Sequence, residues 1–137
     1  MIAAADYSVW LQKGYSPIEL GGIHAVAARQ SDILTIHVVL SDRTRGLVGE
    51  REISSQLINT SRGPIVSEPA LIGALKARTI AGAALDVFDI EPLPADHPYR
   101  SLDNVLGTPH IGYGTSGLYR TFYQDCVSNI AAWIDRH

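Results

Sequence analysis

The chain has 137 residues, 46% of them apolar and 18% charged, with a formal net charge of −3. That length suits one domain with a buried core, and eleven Lys and Arg against fourteen Asp and Glu leave no basic excess for nucleic acid. No apolar run nears the ~20 positions of a transmembrane helix, the start Met1-Ile2-Ala3-Ala4-Ala5-Asp6 lacks a signal peptide's basic and long apolar regions, and the lone Cys126 excludes a disulfide within the chain, which favours the cytoplasm.

Apolar runs punctuated by Gly and Pro predict an α/β chain. Residues 2–9 are expected to open it with a strand. The run Ile33-Leu34-Thr35-Ile36-His37-Val38-Val39-Leu40 is β-branched, short and nearly continuous. It predicts a strand buried on both faces of a parallel sheet. Further strands are expected at 57–60, 81–88 and 104–106. Ser67 is expected to cap a helix, with Glu68 and Pro69 in its first turn, where an acidic side chain and a missing N–H are both tolerated. Leu71, Ile72 and Leu75 share one face of that helix. A second helix is expected from about Thr115 to Arg136, with Leu118, Phe122, Val127, Ile130 and Ile134 along a stripe that is most simply core packing, with docking on a partner as the alternative. Strands alternating with helices imply a parallel sheet covered on both faces.

Ligands of open parallel sheets sit beyond the carboxyl ends of the strands, and polar clusters follow three of these strands. Asn59-Thr60-Ser61-Arg62-Gly63-Pro64 lets backbone approach a ligand and offers the planar Arg62 fork to a carboxylate or phosphate; alone, it is equally an ordinary strand-to-helix loop. Asp86-Val87-Phe88-Asp89-Ile90-Glu91-Pro92 holds three carboxylates that repel unless compensated, or forms a solvated acidic turn. Thr108-Pro109-His110-Ile111-Gly112 sets a histidine between a proline and a glycine. Together, Arg62, Glu91 and His110 are expected to converge at one sheet edge. A Glu91–His110 pair would favour the imidazolium and suit a general acid/base, while Arg62 would clamp a substrate carboxylate. That set fits reduction of a 2-keto acid.

These strings, together with Ser31-Asp32-Ile33-Leu34-Thr35-Ile36-His37 and Ala84-Leu85-Asp86-Val87-Phe88-Asp89-Ile90-Glu91-Pro92-Leu93, closely resemble the nucleotide-binding domain of the D-isomer-specific 2-hydroxyacid dehydrogenases. The resemblance runs over residues 31–136 in the family's order and spacing, with Val39 where the family's strand often has Pro. It implies that Arg62 binds the substrate carboxylate, that Glu91 orients the acid/base His110, and that Asp86 touches the nicotinamide carboxamide. It also implies that Val38, Thr60, Ser61, Arg62, His110, Ile111, Gly112 and Tyr113 border NAD or NADP, with no metal. The implied reaction moves a hydride between nicotinamide and the 2-carbon of a small 2-hydroxy or 2-keto acid, such as glyoxylate or hydroxypyruvate, while His110 handles the hydroxyl proton. His24, His37, His97 and His137 match no catalytic position.

The family's pyrophosphate turn, Gly-x-Gly-x-x-Gly, is expected to be absent. Gly21-Gly22 lacks its spacing, and Gly112-Tyr113-Gly114 follows His110 instead of the opening strand. The ribose-binding acid has no counterpart near Tyr7-Ser8-Val9-Trp10, and residues 23–30 are short for a strand plus helix. The short Ile53-Ser54-Ser55-Gln56 link is expected to shift Arg62 relative to Glu91 and His110. The expected fold is therefore an incomplete Rossmann-like parallel sheet with flanking helices. It forms a single partial nucleotide-binding domain over residues 1–137, lacking the first phosphate-binding βα unit and the substrate domain. Three functional readings follow: an NAD(P)-dependent 2-hydroxyacid dehydrogenase that needs its missing half for activity, a non-catalytic truncated remnant or partner-docking half-Rossmann domain, and a weak nucleotide-binding module. The family resemblance implies self-association through this domain, and the remnant reading implies pairing with an intact relative.

Overall fold

The computed structural model describes the backbone of residues 2–5 and all of residues 31–136. Five parallel strands form one sheet in the order β1-β2-β3-β4-β5: Ile2–Ala5, Ile33–Ile36, Gln56–Asn59, Ala83–Leu85 and Val105–Gly107. The register is continuous, with Leu34 level with Leu57, Ala83 and Val105, and Ile36 level with Asn59, Leu85 and Gly107. These two rows supply the sheet's side of the core. Leu34, Ile36, Leu57, Ala83 and Leu85 are buried together with Ile65, Leu71, Leu75 and Ile80.

Among the described residues one face of the sheet is more deeply buried than the other. The intervening row, Thr35, Ile58, Ala84 and Leu106, is half-buried to exposed. Among the described residues this row is therefore less covered than the other. The β2 run is also shorter than its composition suggests. Its last rung is Ile36 against Asn59, and the chain then turns, with the Thr44 hydroxyl donating to the Val39 carbonyl at 2.8 Å. Likewise β4 keeps three of the eight residues expected, matching the three rungs that β5 offers. The opening-strand expectation overlaps β1, and its remainder lies outside the described residues, as do Gly21-Gly22, Tyr7 to Trp10 and residues 23–30.

Helix α1 (Glu68–Lys76) starts at Ser67, with Pro in its first turn, and buries Leu71 and Leu75, while Ile72 stays half-buried. Ser67 serves through its backbone, its carbonyl accepting from Leu71 N–H at 3.0 Å. Helix α2 (Ser116–Ile134) forms where expected, capped by the Thr115 hydroxyl, but none of its residues is buried. Its apolar stripe therefore does not pack into this core, against the simpler of the two sequence expectations. Among the described residues no helix is long and apolar enough to cross a membrane.

Candidate active site

Three loops leave the carboxyl ends of β3, β4 and β5 side by side, and each is fixed by a different device. After β3, Asn59 is buried and bridges its own loop. Its amide donates to the Arg62 carbonyl at 2.9 Å, and its side-chain oxygen accepts from Ser61 N–H at 3.1 Å. The Ser61 hydroxyl donates to the Ile36 carbonyl at 2.8 Å, tying the loop to the end of β2. Gly63 then lies directly on the next loop: a Cβ there would stand 2.1 Å from the Phe88 carbonyl carbon and 2.5 Å from Asp89 N. The short Ile53–Gln56 link leaves β3 in register with both neighbours, so the Arg62 and Glu91 loops abut. Arg62 itself is exposed, its guanidinium donating to the Ser61 carbonyl at 2.6 Å.

After β4, Glu91 accepts from Phe88 N–H at 2.9 Å through one oxygen. Its other oxygen lies 2.7 Å from His110 Nδ1. Burial pushes this carboxyl upward, but the bonds from His110 and Phe88 and the charges of His110 and Arg62 outweigh it and hold Glu91 below the usual carboxylate range. Asp86, buried at the end of β4, is a hub. It accepts from the Thr108 hydroxyl and from Ile111 N–H at 2.9 Å on one oxygen, and from Gly112 N–H at 2.7 Å on the other. Burial raises its carboxyl, and these three donors together with the His110 charge more than offset it, leaving it below the ordinary value. Asp89 goes the other way, raised by burial and by Glu68. Two of the three carboxylates are thus compensated by hydrogen bonds from the neighbouring loops.

The loop after β5 carries His110 at φ +57°, a left-handed conformation that costs a non-glycine residue roughly 1–2 kcal/mol. Asp86 grips the backbone on the far side of that residue and Thr108 on the near side, which holds the ring where Glu91 meets it. An open cavity of about 800 Å³ adjoins the pair, lined by Phe88, Glu91, Tyr99, Leu102, Val105 and His110 among others. Arg62 and Asp86 do not line it. The polar edge and this largely apolar chamber therefore meet at the Glu91–His110 pair.

The remaining candidates divide. Thr60, Ile111, Gly112 and Tyr113 are exposed around the edge and Ser61 is half-buried, whereas Val38 is buried. Asp86 is expected to meet a carboxamide, yet three of the roughly four lone-pair positions of a carboxylate already serve the His110 loop. One expectation needs correcting outright. Gly117 completes a Gly-x-Gly-x-x-Gly spacing with Gly112 and Gly114, and the string lies between β5 and the start of α2. The structure shows that it is not arranged as a phosphate turn. The Gly112 N–H and its missing Cβ both serve the Asp86 carboxylate, which would lie 2.9 Å from that Cβ. The amides of Gly114, Thr115 and Leu118 are also taken, by Ile111, Tyr113 and the Thr115 hydroxyl. A pyrophosphate there would face a negative charge with few free donors.

Sequence reasoning did not single out Asn59 or Thr108 as positioning residues, and it read Gly63 as allowing close approach of a ligand, where the structure has the Phe88 backbone. Asn59 had a signal in its place two residues before Ser61, the spacing of an Asx turn. Thr108 had none, since its partner lies in another loop.

A family model described as the NAD binding domain of D-isomer specific 2-hydroxyacid dehydrogenases matches residues 19–112. Glyoxylate/hydroxypyruvate reductase B of Enterobacter agglomerans is 43% identical over 109 residues, covering 76% of this chain and 34% of that protein. Glyoxylate reductase of Thermofilum pendens is 50% identical over 91 residues, covering 63% of this chain and 27% of that protein. Among solved structures, a phosphoglycerate oxidoreductase from Vibrio cholerae superposes with TM-score 0.72 at 33% identity, over 83% of this chain and 38% of that one. A D-isomer specific 2-hydroxyacid dehydrogenase from Xanthobacter autotrophicus, in complex with NADPH and MES, gives 0.60 at 41% identity over 69% and 30%. The chain spans about a third of the length of the curated relatives it matches. With the same strings of residues gathered at the carboxyl edge of a parallel sheet, the chain belongs to the D-isomer-specific 2-hydroxyacid dehydrogenases, through their NAD-binding domain.

Proposed function

We propose that this chain carries the acid/base and carboxylate-binding groups for NAD(P)-dependent reduction of small 2-keto acids, glyoxylate and hydroxypyruvate being the first to test. The single observation behind this reading is the 2.7 Å Glu91–His110 pair beside the Arg62 loop. Glyoxylate and hydroxypyruvate come from the names of the relatives. When bound, a reduced nicotinamide supplies the hydride that reaches the 2-carbon. Arg62 holds the substrate carboxylate with its planar fork. Because Glu91 is ionised and accepts only, His110 Nδ1 carries the proton of their bond, and the imidazolium gives its Nε2 proton to the forming alkoxide oxygen, leaving the neutral Nδ1–H ring. Thr60, Ser61 and Ile111 to Tyr113 border the nicotinamide. Either NAD or NADP serves in this reading, in the cytosol.

A second reading, a partner-docking half domain without turnover that pairs with an intact relative, is favoured by one observation. The glycine string at 112–117 is spent on Asp86 and on its own loop instead of standing free for phosphate. Titration of the ¹⁵N-labelled chain with NADH and with NADPH, followed by assays with glyoxylate and hydroxypyruvate, separates the two. The first reading expects amide shifts at Thr60, Ser61 and Ile111 to Tyr113, and turnover that His110→Ala lowers by roughly 10²–10⁴-fold. No shift at millimolar cofactor overturns it and leaves the docking reading.

A further inference from the structure

The chamber beside the Glu91–His110 pair has a chemistry that the acid/base step does not use. Its volume of about 800 Å³ falls in the range of small-molecule sites, ~300–1,000 Å³. Phe88, Leu93, Tyr99, Leu102, Val105 and Pro109 supply apolar walls, and Arg62 is not among the lining residues. One wall is the outer edge of β5. Ala83 N–H donates to the Asn104 carbonyl and Thr108 N–H to the Leu85 carbonyl, which fixes the phase of the β4–β5 ladder. Alternate residues of an edge strand turn their N–H and C=O away from the neighbouring strand. Val105 and Gly107 are those residues here, and both line the chamber.

The lining also holds a cation fixed in place. Arg100 Nε donates to the Pro94 carbonyl at 2.8 Å and Nη2 to the Leu93 carbonyl at 2.7 Å. Two of the five N–H donors of a guanidinium are thus spent, both on neutral carbonyls, and among the described residues no carboxylate pairs with Arg100. Glu91, the carboxylate of the lining, is already committed to His110 and to Phe88 N–H.

We infer that the chamber binds a small hydrophobic carboxylic acid, with its aryl or branched alkyl body between Phe88, Leu102 and Val105 and its carboxylate on Arg100. Each feature narrows the class. Apolar walls disfavour a wholly polar ligand, and a held guanidinium with free donors takes a planar carboxylate. The outward amides of Val105 and Gly107 offer donors and carbonyls to polar groups along the body. Such a ligand stands against Glu91 and His110 without meeting Arg62.

Titration of the ¹⁵N-labelled 137-residue chain with hydrocinnamate tests the inference, with hydrocinnamyl alcohol as a neutral body of nearly the same shape. The acid is expected to shift the amides of Phe88, Leu102, Val105 and Gly107, to leave Thr60 and Ser61 in place, and to bind roughly tenfold tighter than the alcohol. In Arg100→Gln the two should bind alike, at the alcohol's wild-type affinity. No shift of the chamber amides at millimolar acid overturns the proposal, and shifts centred on Thr60 and Ser61 do the same by placing the acid on the Arg62 loop. Equal affinities of acid and alcohol for the wild type overturn the ligand class, whatever the fold of the variant. A preference for the acid that survives Arg100→Gln overturns the role of Arg100 and the proposal with it.

Discussion

Glu91 Oε2 lies 2.7 Å from His110 Nδ1 although nineteen residues separate the two. The contact depends on three loops being held in register by β3, β4 and β5, and it decides which imidazole nitrogen faces outward. An ionised carboxylate accepts and does not donate, so the neutral ring is held as the Nδ1–H form. Replacing Glu91 by Gln substitutes an amide that either donates or accepts. Long-range ¹H–¹⁵N spectra should show a single His110 tautomer in the wild type and a mixture in Glu91→Gln. An unchanged tautomer would remove Glu91 from the orienting role. The two side chains are 34% and 36% exposed, so solvent screening keeps the loss of stability small, under ~1 kcal/mol.

Asp86→Asn should cost more than its conservative size suggests. The carboxylate accepts from Thr108, Ile111 and Gly112 in a buried position, and an amide turns an NH₂ group toward one set of these donors. Leaving buried donors unpaired costs roughly 1–3 kcal/mol. Urea unfolding should show a drop in that range, and hydrogen exchange at Ile111 and Gly112 should quicken before the rest of the sheet opens. Exchange that stays slow at both amides would mean that Asp86 does not hold the loop.

The same carboxylate gives stability a pH dependence. Asp86 and Glu91 both sit below their ordinary values in the folded chain. A depressed folded pKa contributes fully above the unfolded value, near 4, and the contribution is lost as pH falls through the folded value. Urea midpoints measured from neutral pH downward should therefore hold steady to about pH 5 and fall below about pH 4. The fall should be shallower in Asp86→Asn. Equal slopes in the two proteins would place the acid sensitivity elsewhere.

What could be read ahead of the structure follows from how far each signal reaches. The strands announce themselves in β-branched runs because that signal is local, and β3 and β5 lie within a residue of expectation. The Arg62, Glu91 and His110 loops were legible because strand ends of a parallel sheet share an edge. The uneven burial of the two faces among the described residues was not, since no single run encodes which face a neighbouring element will cover. Nor was the environment of α2: its stripe says that the helix is covered, without saying by what. Thr108 stayed hidden for a similar reason, its partner Asp86 being 22 residues earlier.

Gly63→Ala tests the contact between two of the loops. Its Cβ would stand 2.1 Å from the Phe88 carbonyl carbon and 2.4 Å from its oxygen, and neither is the flexible end of a side chain. The Arg62 and Glu91 loops must then separate, at a cost of roughly 1–3 kcal/mol for overpacking. A lowered urea midpoint, with shifts in the Phe88 and Asp89 amides, is the expected outcome. A wild-type midpoint would show that the loops are not in contact.

The left-handed backbone at His110 is open to a direct measurement, because two substitutions remove the ring equally and differ only in φ preference. Both His110→Ala and His110→Gly lose the contact with Glu91. Alanine keeps the strain of φ +57°, worth roughly 1–2 kcal/mol, while glycine tolerates it and loses ~0.4–1 kcal/mol through its freer unfolded chain. His110→Gly should accordingly be the more stable of the pair by about 1 kcal/mol in urea unfolding. Both should be equally unable to transfer a proton. Equal stability, or Ala the more stable, would mean that His110 does not occupy the left-handed region. The Asp86 grip on Ile111 and Gly112 would then have no strain to restrain. The difference expected here is the cost of presenting the ring to Glu91, a local conflict of the kind stored at functional sites.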